Sequence, residues 1–121
     1  MSVSERVKSV LGVLKMPVKQ DIYRGKEEEY IVFNIPDERP ALSGDDLSLV
    51  DEATVQVHYY TKNNPHPIKK KIRRLLSLGG FVITSTNQFY ENDTGYTHVV
   101  VTASTMEVIP DDELPGETEE Y

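Results

Sequence analysis

The sequence predicts an α+β domain in which two helices pack on one face of a mainly antiparallel sheet of about four strands. Apolar residues recur at helical spacing in two stretches, 3–14 and 68–76. Four other stretches are rich in β-forming residues, and residues 53–61 alternate between apolar and polar side chains. The elements therefore follow the order helix, strand, long loop, strand, helix, strand, strand, which is typical of helices laid over an antiparallel sheet.

Composition limits the classes of protein and site that the chain can represent. The 121 residues suit one domain, and the absence of cysteine excludes structural disulfides, thiolate metal sites and thiol nucleophiles. No apolar run approaches the roughly 18 residues of a membrane span, so we expect no membrane partner. The formal charge of -7 argues against a generic nucleic-acid binder.

The first helix is predicted from a capping box followed by an apolar stripe. Ser2 and Glu5 have the spacing of a capping box, and Pro17 prevents the helix from continuing much beyond Lys15. The apolar stripe consists of Val3, Val7, Val10, Leu11 and Leu14.

Two strands separated by a long polar loop follow. Residues 29–35 form the first strand, which Pro36 is expected to end, and residues 36–51 form a loop long enough to be functional or disordered. In the strand over 53–61, alternation places Val55, Val57 and Tyr59 on one face and His58 and Tyr60 on the other.

The second helix, residues 68–78, carries a cluster of five of the thirteen basic residues. Its apolar stripe is Ile68, Ile72, Leu75 and Leu76, with Pro67 in the first turn and Gly79-Gly80 at the end. Strands over 81–86 and 96–108 then form a hairpin around the turn residues 91–95.

Charge is distributed in separated blocks. Residues 107–120 contain seven acids and no base, which leaves a nearly neutral body. We therefore expect a domain over 1–109 and a disordered acidic tail over 110–121, which either solubilises the protein or contacts a partner. Five bases fall within six positions: Lys69, Lys70, Lys71, Arg73 and Arg74. They form either an ordinary solvated helix face or a surface that contacts phosphates without reading bases.

No pattern of catalytic or ligand residues stands out. His58, His66 and His98 lack the close spacing of a helical metal motif, and no G-x-S-x-G nucleophile motif occurs. The tyrosines and phenylalanine at 59, 60, 89, 90 and 96 are expected to pack on the sheet or at a protein interface. We expect no enzyme activity, no cofactor and no metal.

Several of these segments resemble a known family. The stretches 29–34 and 54–61, the Gly80-Phe81 pair after the second helix and Tyr96-Thr97-His98 are similar to motifs of the tail-completion proteins of long-tailed bacteriophages and prophages. This family is also called tail terminators, head–tail joining proteins or minor tail proteins. The sequence departs from many of its members in the acidic tail and in His58, where an acidic residue is common.

The resemblance implies a structural virion protein without catalytic residues. Members form a hexameric ring that caps the tail tube and joins it to the head connector, after assembly in the cytoplasm of the host bacterium. The implied partners are further copies of the chain, the tail tube protein and the head-completion or connector protein, with DNA passing non-specifically through the ring.

Two placements follow from this implied role. The basic residues 69–74 would face the lumen or an adjacent subunit, and the loop over 36–52 would contact the tube or the connector. The loop residues that we expect to make this contact are Arg39, Leu42, Asp45, Asp46 and Leu47. The alternative is a small nucleic-acid-binding or regulatory module that uses the basic helix 68–78.

Overall fold

The computed structural model describes residues 2–40 and 50–108, which form two helices and a five-stranded mixed sheet. The helices are α1 (Val3–Leu11) and α2 (His66–Leu78). The strands are β1 (Val18–Gln20), β2 (Glu29–Pro40), β3 (Val50–Thr61), β4 (Val82–Tyr90) and β5 (Thr97–Val108). The sheet order is β1-β2-β3-β5-β4, in which β1 is parallel to β2 and the other neighbours are antiparallel.

Both helices bury their apolar stripes against the same face of the sheet. Val7 and Leu11 of α1 and Ile72 and Leu76 of α2 are fully buried in one cluster with alternate residues of the central strands. The strand residues of this core are Ile31, Phe33, Ala53, Val55, Val57, Tyr59, Val99, Val101 and Ala103. The other face carries no helix among the described residues, and we call it the helix-free face.

The capping box that begins α1 is present, but the helix is shorter than the apolar stripe suggests. The Glu5 amide donates to Ser2 Oγ at 3.1 Å, and the Ser2 amide donates to Glu5 Oε1 at 2.8 Å. The helix ends at Leu11, and Gly12 follows as its C-cap. Leu14 still reaches the core from the turn beyond.

The prediction that Pro36 ends the second element was wrong. A bulge between Asn34 and Asp37 accommodates the proline, and β2 then continues to Pro40 while pairing with residues 51–54 of β3. A strand tolerates proline at a bulge because no ladder hydrogen bond is needed there. Residues 36–40 and 50–52, predicted as loop, are thus strand, and residues 41–49 lie outside the described part of the chain.

Strand β1 was not predicted. It has only three residues, too few to show a period, and it lies beside Ile31, Val32 and Phe33 of β2. The Ile31 amide donates to Pro17 O and the Asp21 amide to Phe33 O, both at 2.8 Å. The sheet is mixed rather than purely antiparallel for this reason.

The β4–β5 hairpin agrees with the predicted turn but begins and ends elsewhere. Strand β4 covers Val82–Tyr90 rather than 81–86, and Phe81 lies in the core just before it. Gly95 has φ +79, which explains why glycine occupies this turn position. Among the described residues, no helix has the length and apolar character that crossing a membrane requires.

Candidate interaction surfaces

Helix α2 is held against α1 and the sheet so that its basic face points outward. Pro67 stands in the first turn, where no intrahelical donor is lost, and Gly79 caps the helix by donating its amide to Leu75 O at 2.9 Å. At Gly79 a Cβ atom would lie 2.6 Å from Val10 Cγ1, so the glycine permits the close approach of α1.

Three of the five predicted basic residues meet in one depression between α2 and β4. Lys70, Arg73 and Arg74 line it together with Ser77 and Ile83, and its volume is about 500 Å³. We call this surface the basic depression. Of the remaining two, Lys69 donates from Nζ to Gln88 Oε1 of β4 at 3.0 Å, whereas Lys71 is exposed and does not line the depression.

The charge of this edge is not neutralised locally. Within the described residues, Lys70, Arg73 and Arg74 form no ion pair. The stretch 66–90, which covers α2 and β4, contains five bases and no acid. One edge of the sheet is therefore strongly positive, while the rest of the body carries the compensating acids.

Strand β4 is an edge strand with little protection against pairing. It is last in the sheet order and contains no charged residue or proline. Val82, Phe89 and Tyr90 expose 65%, 54% and 63% of their surface. Natural proteins usually protect edge strands with charges, proline or short length, so this edge is suited to contact with another chain.

The residues predicted as a tube- or connector-contacting loop are only partly described. Arg39 lies in β2, where its Nε donates to Asp37 Oδ2 at 2.9 Å, and Glu52 is its partner in β3. Arg39 therefore belongs to the sheet and not to a loop. The other four, Leu42, Asp45, Asp46 and Leu47, lie outside the described residues.

A cluster of aromatic rings covers one end of the helix-free face. Tyr30 and Tyr60 stack with centroids 4.7 Å apart, and Tyr60 stacks on His98 at 4.2 Å. Tyr23 packs on Tyr30, and Tyr96 meets both Tyr30 and Tyr60 edge-on. Because the rings cover one another, they are half-buried, and this end of the sheet presents an aromatic surface.

Beside these rings, four side chains form a hydrogen-bonded row across the sheet. Asn34 Oδ1 lies 3.2 Å from His58 Nε2, and His58 Nδ1 lies 2.8 Å from His98 Nε2. His98 Nδ1 is 3.5 Å from Glu91 Oε2. Facing imidazole nitrogens this close share one proton, so the two rings cannot both be fully protonated.

Burial controls the ionisation of both histidines. Desolvation lowers the pKa of His58, and the neighbouring His98 lowers it further. The pKa of His98 is also lowered by desolvation, against the opposing effect of Glu91. Both rings are therefore mainly neutral near pH 7.

A shallow pocket of about 300 Å³ opens beside the same row. Its lining includes Asn34, His58 and Tyr60 from the sheet and Asp21 and Tyr23 from the segment after β1. Within the described residues, no group of three or more His, Asp or Glu side chains could hold a metal ion. The ring nitrogens of His58 and His98 face each other or Asn34 and Glu91.

This cluster was not predicted as a unit from the sequence. Alternation already placed His58 and Tyr60 on one face, but the register of β3 against β5 brings His98 opposite Tyr60. That register depends on how the two strands pair, which the local pattern does not specify.

No family model matches the chain. None of the curated proteins searched matches it either.

Proposed function

We propose that this chain is a structural subunit that assembles head to tail into a closed ring, in the manner of the phage tail terminators that its sequence resembles. The observation that carries the proposal is the asymmetry of the two sheet edges. The β4 edge combines five bases, no acid and an uncharged strand with exposed apolar residues. The β1 edge has three residues against nine in β4, and it runs parallel to its neighbour, whereas β4 is antiparallel to its own.

Rings need interfaces of this kind. In a head-to-tail contact, one surface of a subunit meets a different surface of the next subunit, and the same contact repeats around the ring. The residues of the body outside 66–90 carry an excess of acids, so a neighbouring copy can offer negative charge to the basic edge. In this proposal the ring caps a tail tube and joins it to the head connector, and DNA passes through it.

The basic helix supports contact with either a neighbouring subunit or the DNA. Three exposed cations around an open depression suit a phosphate backbone, and they provide no aromatic ring on which a base could stack. Contacts of this type would let DNA pass without sequence preference.

Light scattering after size exclusion tests self-association directly. We expect discrete oligomers whose proportion rises with protein concentration, or on addition of a tail tube protein. The charge-reduced variant Lys70→Gln/Arg73→Gln/Arg74→Gln should associate less, because the positive edge is lost. The proposal is contradicted if the chain stays monomeric at high concentration and also does not bind a tail tube protein.

A second candidate function is a non-enzymatic nucleic-acid-binding module, which the same basic depression favours. In this case the monomer binds double-stranded DNA. The logarithm of its affinity then decreases linearly as the logarithm of the salt concentration increases. Three phosphate contacts give a slope of roughly -2.7. Monomeric binding with such a slope, lost in the triple variant, would favour this function over the ring.

A further inference from the structure

We infer that the acidic segment 109–121 of the chain binds into the basic depression of the same molecule. The inference goes beyond the proposed function and does not depend on it. It assigns an occupant to a surface whose cations form no ion pair within the described residues.

The chemistry of the segment matches that of the depression. Residues 109–121 contain six acids and no base. Asp111, Asp112 and Glu113 come directly before Leu114, so three carboxylates adjoin one aliphatic side chain. The depression presents the complementary set, three cations beside the half-buried side chain of Ile83.

The position at which the segment leaves the sheet brings it within reach. Ile83 pairs with Ala103 of β5, and β5 ends five residues later at Val108. At a rise of about 3.3 Å per residue, Val108 lies roughly 17 Å along the strand from the level of Ile83. The six residues 109–114 span about 20 Å when extended, which is enough to return to the depression.

The end of β5 is also fastened to the end of α2. Thr105 Oγ1 donates to Gly80 O at 3.0 Å, and Arg6 Nη2 donates to Thr105 Oγ1 at 2.7 Å. The segment therefore starts from a fixed point beside the C-terminal end of the basic helix.

Attachment to the same chain favours this occupant over a second copy. A tethered segment has an effective concentration of about millimolar, far above that of free protein in dilute solution. The contact is mainly electrostatic and on the surface, so salt weakens it. It consequently competes with any polyanion or acidic partner that uses the same cations.

Paramagnetic relaxation in the full chain tests the contact. Because the protein has no cysteine, Gly116→Cys provides a single site for a nitroxide label without removing a charge. At about 20 mM salt we expect amide signals of residues 73–77 and 83 to broaden more than those of β1, which lies at the opposite edge of the sheet. At about 500 mM salt the difference should largely disappear.

Charge variants in the same labelled chain identify the carboxylates involved. Asp111→Asn/Asp112→Asn/Glu113→Gln should abolish the selective broadening. The matched control Glu117→Gln/Glu119→Gln/Glu120→Gln removes the same number of charges and should keep most of it. Equal broadening in the two variants, or broadening without preference for the basic depression, would overturn the inference.

Mixing isotopes distinguishes the same chain from a neighbour. Nitroxide-labelled protein at natural isotope abundance is mixed with ¹⁵N-enriched protein that carries no nitroxide. In this mixture only contacts between molecules can broaden the observed signals. We expect no selective broadening in this mixture. Broadening as strong as in the single sample would assign the segment to a second copy and refute the same-chain contact.

Discussion

Neighbouring residues of β3 lie in very different surroundings. Tyr59 is fully buried in the core, where its hydroxyl donates to Glu29 Oε2 at 2.7 Å, while Tyr60 stacks with Tyr30 on the helix-free face. Thr61 Oγ1 donates to the same Glu29 oxygen at 2.8 Å. Burial raises the pKa of the Tyr59 hydroxyl well above its usual value. The hydroxyl therefore stays protonated, and remains a hydrogen-bond donor, at neutral pH.

Removing this donor should destabilise the protein measurably. We expect Tyr59→Phe to lower the free energy of unfolding by about 1–2 kcal/mol, because a hydrogen bond to a charged acceptor is lost in a buried place. Urea denaturation measures the change. Tyr90→Phe is the control, since that ring is 63% exposed and should change stability little. Equal effects of the two substitutions would contradict the role given to Tyr59.

The row of His58 and His98 predicts a pH dependence of stability. Folding lowers both pKa values below the ordinary value of about 6.5, so below that pH the unfolded chain takes up protons that the folded chain resists. Stability is therefore greatest with both rings neutral and falls as the pH is lowered through about 6.5. Asn34, Tyr60 and Glu91 are the other polar groups that face the pair.

Denaturation between about pH 8 and pH 5 checks this dependence. We expect the double variant His58→Gln/His98→Gln to show a smaller loss of stability over this range than the natural chain. His66→Gln is the control, because that side chain is exposed at the start of α2. An unchanged loss in the double variant would show that other groups cause the dependence.

At the scale of elements, the contact between the two helices depends on a missing side chain. Gly79 allows Val10 of α1 to approach the end of α2, and a Cβ atom there would lie 2.6 Å from Val10 Cγ1. Valine is stiff at χ1, so it cannot easily turn away. The backbone at Gly79, with φ -86, is open to any residue, and packing alone therefore selects glycine.

A double-mutant cycle tests this packing. We expect Gly79→Ala to destabilise the protein by about 1–3 kcal/mol through overpacking. In the background Val10→Ala the same change should cost clearly less, because the colliding methyl group is gone. Additive effects in chemical denaturation would mean that Gly79 and Val10 do not interact.

At the scale of the whole molecule, self-association should depend on the β4 edge. Val82 begins this strand with 65% of its surface exposed, and Val13, in the turn after α1, is 67% exposed. The two valines thus form a matched pair on different surfaces. Only the first belongs to the edge that the proposed ring contact uses.

We expect Val82→Ser to weaken self-association roughly tenfold, if its side chain contributes about 1.5 kcal/mol to the contact. Val13→Ser should leave it unchanged. Sedimentation velocity over a range of concentrations measures both, and the thermal midpoint verifies that the monomers remain folded. A larger effect of Val13→Ser would move the interface away from β4.

Much of the fold was predictable from short-range pattern. The helical spacing of Val3, Val7 and Leu11 and the alternation of β3 specify which side chains are buried, because helix and strand periods place them on one face. The basic side of α2 follows from the same argument. These features depend on residues that are close in sequence, and the structure contains all of them.

The remaining features depend on pairing between distant segments. The bulge that carries β2 past Pro36, the parallel addition of β1 and the register that brings His58 to His98 each involve strands separated by many residues. A local pattern contains no information about register. The same holds for the basic depression, since Ile83 joins Lys70 and Arg73 only when β4 returns beside α2.

By itself, then, the sequence determined the type of each major element, its buried face and the cluster of positive charge. Tertiary structure alone decided which strands form the edges of the sheet, which rings meet on the helix-free face and which cations share one surface. The physical reason is that burial periodicity is written into neighbouring residues, whereas contacts across strands arise only once the chain has closed its long loops.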